Sequence, residues 1–185
     1  MARCRALAIA LPVLATGALF LAASGVALHS PLYDPKRSAT PSALEILARV
    51  KAEVIPAENF LTDYGVAFNT AGYKTLLAWN ERYRVRPVWA ADFESLNVTL
   101  PCCGFTAPSA DETKNCGCGH HEALYGLAKQ LLTDGYSLTE TQAEIGRWAA
   151  YMYPREALIV EMERRALTDP AINRALQEVK EKGEC

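Results

Sequence analysis

From Ser42 onward the apolar residues recur at helical spacing, in blocks punctuated by proline, glycine and capping signals. "SALE" at 42–45 is a capping box, in which the serine hydroxyl accepts from the amide three residues on while the glutamate reaches back. It predicts a helix to about Val54, with Leu44, Leu47, Ala48 and Val54 turned inward and Pro56 beyond its end. "YGVAFN" at 64–69 reads as a short strand or a turn. "TAGYKTLLAWNERY" at 70–83 predicts a second helix, with Tyr73, Leu76, Leu77 and Tyr83 toward the core. Residues 84–101 mix proline with alternating apolar positions, and predict irregular chain with short extended pieces. From residue 119 the stripe Leu124, Leu127, Ala128, Leu131, Leu132 marks a helix that Gly135 can terminate at the C′ position. A second capping box, "SLTE" at 137–140, opens the next helix, with Leu138, Ile145, Trp148, Ala149 and Met152 on one side. Pro154 interrupts that pattern. "REALIVEMERRAL" and "PAINRALQEVKEK" predict two more helices, the last with Asp169 as N-cap and Pro170 at its first position. The expected fold is mainly α: a small helical bundle with an αα-hairpin over 119–134 and 138–153, entered from a cysteine-rich loop.

The N-terminal pattern is of another kind. Arg3 and Arg5 precede an uncharged run, residues 6–28, of about the length that spans a bilayer. Residues 1–29 are therefore expected to be a signal peptide or a membrane anchor. "LAASGVA" offers small-residue cleavage positions, and the full length of the run favours an anchor. The basic start places the remainder on the extracytoplasmic side. Residues 30–41 hold three prolines and read as a linker, leaving 42–185 as the helical domain with its Cys/His-rich loop at 101–121.

Composition narrows the function. The chain has 185 residues, 50% hydrophobic and 22% charged, with formal net charge −2, which suits one domain with a real core. Near-neutral charge without a basic stripe gives no footprint for nucleic acid, so the expected partners are a metal ion and, through the N-terminal segment, a membrane. "NVT" at 97–99 is a glycosylation sequon, a frequent pattern that carries little weight.

The chemistry is concentrated in "PCCG" and "NCGCGHH", which supply Cys102, Cys103, Cys116, Cys118, His120 and His121. Thiolate and neutral imidazole suit zinc, and thiolates also suit Cu(I). The free amides and positive dipole end of a helix N-terminus favour both ligand forms. The expected ligands are Cys116 and Cys118, with His120 or His121 and one of Cys102 and Cys103. Consecutive residues on a helix point about 100° apart, so at most one histidine faces the ion. Two alternatives use the same cysteines. One is an extracytoplasmic thiol-disulfide oxidoreductase; the other is a structural exported domain stapled by two disulfides from 102/103 to 116/118. "CGCGHH" lacks the C-x-x-C-H of covalent haem attachment, and Glu122 follows the histidines at the wrong spacing for a zinc hydrolase. No catalytic constellation is legible. Tyr151 and Tyr153 are placed to pack over the cysteine loop.

"PCCGF…NCGCGHH" resembles the small exported proteins named for a PCYCGC motif, typically lipoproteins or anchored proteins; the resemblance covers about 20 residues and implies a metal-related role. "GYSLTETQAEIGRWAAYMYP" is similar to the helical hairpin of the CcmH-type thiol reductases of cytochrome c maturation, although the Cys-x-x-Cys of those proteins is absent here. The full chain is expected to stay with membranes through alkaline extraction, whereas a fragment from Ser30 should be soluble. Full-length protein in the extracted supernatant would contradict the anchor.

Overall fold

The computed structural model describes residues 40–104 and 107–182. The apolar run at 6–28 and the linker up to residue 39 lie outside the described residues. Among the described residues there are seven α-helices and no strand longer than a single bridge, Leu61 with Ala67. No described helix is long and apolar enough to cross a membrane.

The helices are α1 (Ala43–Val54), α2 (Thr70–Arg82), α3 (Ala90–Glu94), α4 (Gly119–Thr133), α5 (Leu138–Met152), α6 (Pro154–Ala166) and α7 (Pro170–Lys182). Both capping boxes form: Ser42 with Glu45 opens α1, and Ser137 with Glu140 opens α5. Each satisfies amides that the first helical turn leaves without partners. Gly135 ends α4 at φ +88°, a conformation that glycine adopts without a Cβ penalty. Asp169 Oδ1 accepts from the amides of Ala171 and Ile172 and starts α7, with Pro170 at its first position.

Two apolar cores result. The larger is built on α2, α4 and α5, with Phe68, Phe93, Leu124, Leu127, Leu131, Ile145 and Trp148 at its centre. The smaller joins α1, α6 and α7 through Ile46, Val50, Met162, Ile172 and Leu176. Tyr153, between α5 and α6, is where the chain passes from one group of helices to the other.

The structure corrects two expectations. Ile46 and Val50 are the buried residues of α1, with Leu47 and Val54 packed beside them; Leu44 is 62% exposed and Ala48 is exposed too, because α6 and α7 approach the helix from the side defined by 46 and 50. The stretch 84–101 is not wholly irregular: a 3-10 turn at Pro87–Trp89 runs directly into the short α3, which buries Trp89 and Phe93. For the same reason the described residues hold one helix, α3, that the periodicity does not predict. Of the two readings of 64–69 the turn holds, with Gly65 at φ +80° and Thr62 closing it by accepting from the Val66 amide.

The α2–α4 contact is unusually close. A Cβ on Gly126 would stand 2.0 Å from the Leu76 carbonyl oxygen and 2.6 Å from the Asn80 nitrogen, both backbone atoms that cannot move aside cheaply. Gly126→Ala should therefore destabilise the fold by about 3 kcal/mol, as overpacking against rigid neighbours does. Gly146→Ala, also inside a helix but with nothing within 4 Å of the added methyl, should stabilise it by about 1 kcal/mol. Thermal unfolding of the two variants checks both signs, and equal effects would contradict the close approach.

Candidate metal centre

The site is assembled from two segments that meet at the start of α4. The first is residues 96–100, which run extended: Leu96, Val98 and Leu100 are buried and Asn97 and Thr99 are exposed. A period of two is what extended backbone gives when one face is covered. No neighbouring strand holds this segment. Instead the Gln142 side-chain amide of α5 pairs with it on both sides, Oε1 accepting from the Asn97 amide at 2.7 Å and Nε2 donating to the Asn97 carbonyl at 3.0 Å. The chain then turns sharply. Leu100 O accepts from the amides of Cys103 and Gly104, and Gly104 leaves at φ +67°. This turn presents Cys102 and Cys103 at the surface.

The second segment returns to α4 through residues 109–118. Asn115 and Ser109 close it with a reciprocal pair, Oδ1 accepting from the Ser109 amide and Nδ2 donating to its carbonyl. Glu112, in a 3-10 turn at Glu112–Lys114, reaches Lys129 Nζ at 2.6 Å and accepts from the Val85 amide. Lys129 is 1% exposed and also donates to the Asn80 carbonyl, so the charge is buried with its partners in place. The clamp fixes the returning segment against α2 and α4. Cys118 then takes the N-cap position of α4, and Gly119 follows where a Cβ would lie 2.7 Å from the Tyr73 hydroxyl.

These elements bring Cys102, Cys103, Cys118 and His121 together: one donor atom from each lies within 4.8 Å of the others, a grouping that can hold a metal ion. Cys102 Sγ and Cys118 Sγ are 3.8 Å apart. Cys118 Sγ is 3.1 Å from His121 Nδ1. His121 is fully buried, and its Nε2 is 2.8 Å from the Val98 carbonyl oxygen. A carbonyl only accepts, so Nε2 carries the proton and donates. The lone pair of the neutral ring is then on Nδ1, which faces the sulfurs. Burial, with smaller help from the neighbouring His120, lowers the His121 pKa and keeps the ring in that ligand form.

The remaining two sequence candidates lie at the edge. Cys116 is outside the mutually close set, yet its sulfur neighbours both Cys103 and Cys118. A hydrogen bond from the Cys118 backbone is the largest influence on its thiol, which lies below the ordinary value. Cys103 goes the other way, since hydrogen bonds to Cys116, then Cys118 and Cys102, raise its pKa. His120 turns away from the cluster: its Nδ1 lies 3.0 Å from the Tyr153 hydroxyl, and its ring stacks near Tyr73 on one wall of an open cavity of about 190 Å³. Cys102, Cys103, Cys116 and Cys118 are all free of disulfides.

A wall of tyrosines surrounds the sulfurs. Tyr153 stands beside Cys102, and burial followed by that neighbour raises its phenol pKa. Tyr125 packs on His121 with ring centroids 5.7 Å apart, and burial pushes its phenol up to about 12. Tyr73 closes the side nearest Cys118. Only Tyr153 was marked by sequence position. Lys129 carried a signal that sequence reading passed over, a lone lysine inside the apolar stretch of α4. The Val98 carbonyl carries none, because any residue supplies one.

Comparison with known protein families, with characterised proteins and with solved structures finds no match.

The lowered His121 pKa has a sign. In metal-free protein the unfolded chain takes up a proton near pH 6.5, while the folded ring resists it, so this residue's contribution to stability falls as pH drops through that value. An NMR titration of the metal-free protein should place the His121 midpoint below 6.5. A midpoint at or above it would contradict the buried neutral ring.

Proposed function

We propose that the chain is an exported zinc-binding protein whose ion is held by Cys102, Cys103, Cys118 and His121. The observation that supports this most strongly is the buried His121 ring, with Nε2–H fixed on the Val98 carbonyl and Nδ1 3.1 Å from the Cys118 sulfur, in a group that also holds Cys102 and Cys103. Metal-binding histidines commonly donate their second ring nitrogen to such an acceptor, which fixes the tautomer and orientation. A staple of disulfides would need no such arrangement.

The choice of zinc follows from the donor set and its spacing. Three thiolates and one imidazole make a closed tetrahedral shell of the structural zinc type. With Zn–S bonds of about 2.3 Å, two sulfurs on a tetrahedron stand about 3.8 Å apart, the separation of Cys102 and Cys118. Copper(I) shares the preference for thiolate but does not need the fourth, nitrogen ligand. Export is supported by Arg3, Arg5 and the apolar run at 6–28, and it would place the site on the extracytoplasmic side. Cys116 and His120 belong to the surroundings of the ion in this reading, His120 through its contact with Tyr153.

The protein should retain about one equivalent of zinc after dialysis. Cys118→Ser and His121→Ala should each lose most of it, whereas His120→Ala should weaken binding by no more than about 10- to 100-fold, as loss of an outer hydrogen bond does. Metal analysis with a competing chelator reads all three. Equal loss from the two histidine variants would contradict the assignment of His121 as the sole nitrogen ligand.

A further inference from the structure

Two of the proposed zinc ligands are also the two sulfurs best placed to bond each other. Cys102 Sγ and Cys118 Sγ stand 3.8 Å apart, and a disulfide needs about 2.05 Å. The closure is asymmetric. Cys118 is fixed at the N-cap of α4, whereas Cys102 sits on an exposed turn that ends at Gly104 with positive φ. Cys102 can therefore be reached by a disulfide reagent from solvent and then swing onto Cys118. The pairings between chain neighbours are worse. A bond between adjacent Cys102 and Cys103 would close a small ring through one planar peptide. A bond between Cys116 and Cys118 would have to form at the very start of α4, where the Cys118 backbone already holds the Cys116 sulfur.

We infer that the site is a redox-controlled zinc donor, in which two-electron oxidation joins Cys102 to Cys118 and expels the ion. This rests on the zinc reading of the same residues. The step balances with a low-molecular-weight disulfide as oxidant. Cys102 thiolate attacks one sulfur of the reagent and releases its other half as a thiol, on uptake of one proton. Cys118 thiolate then attacks the mixed disulfide at Cys102, forming the internal bond and releasing the second thiol with a second proton. Two protein thiolates are oxidised and one reagent disulfide is reduced. The ion leaves because two of its four donors have lost the charge that bound it. His121 stays on the Val98 carbonyl throughout, and the new covalent link ties the Cys102 turn to α4 in place of the ion. The fold should therefore survive the release.

The inference is tested on the zinc-loaded full chain equilibrated with mixtures of reduced and oxidised glutathione. Zinc is read by a chromogenic chelator, and disulfides by alkylation and peptide mapping. One zinc should appear for each Cys102–Cys118 bond formed, and thiol reductant should restore uptake. Cys116→Ser should still bind zinc and still release it, with Cys103 remaining open to alkylation. Zinc that stays bound under excess oxidised glutathione would overturn the redox step while leaving the zinc site intact. So would release accompanied by a different first disulfide. A chain that takes up no zinc at all would overturn both readings.

Discussion

The hydrogen bond from His121 Nε2 to the Val98 carbonyl is the contact on which the whole site depends. It decides which ring nitrogen carries the proton, and so which one is left to meet the sulfurs. It also ties α4 to the extended segment 96–100, whose continuation is the turn that bears Cys102 and Cys103. Burial of the ring disfavours its charged form and so keeps it in the neutral state that a ligand requires. The chemistry of four side chains is thus fixed by one backbone oxygen.

Around that contact the fold supplies rigidity from several directions. Gln142 stands in for a neighbouring strand and keeps the Val98 carbonyl in place. The buried Lys129–Glu112 pair holds the returning segment, and its cost in desolvation is offset in part by two further hydrogen bonds, from Lys129 to the Asn80 carbonyl and from the Val85 amide to Glu112. The tight glycine contact between α2 and α4 lets the Tyr73 hydroxyl approach the first residue of α4. Stability and site are therefore served by the same helix, since α4 is both the most buried helix of the larger core and the platform for Cys118 and His121.

What was legible in the sequence is what short-range physics determines. The capping boxes at Ser42 and Ser137, the terminating Gly135 and the stripe from Leu124 to Leu132 act within a turn or two, and all appear where their spacing puts them. The inward face of α1 was misread because its partners, α6 and α7, lie about a hundred residues away; the Arg165–Glu53 ion pair between α6 and α1 crosses 112 positions. A five-residue helix such as α3 is too short to show a period. At the site the residue types announced soft-metal chemistry, and the angular argument already limited the histidines to one. Which one depended on a carbonyl 23 residues upstream, a group invisible to any reading of side chains.

The central claim is that one zinc ion is bound by three sulfurs and the Nδ1 atom of His121. X-ray absorption at the zinc edge of the loaded full chain addresses it most directly. Three sulfur scatterers at about 2.3 Å and one nitrogen at about 2.0 Å are expected, with the nitrogen contribution lost in His121→Ala. A first shell of nitrogen and oxygen, or an unchanged nitrogen contribution in that variant, would contradict it.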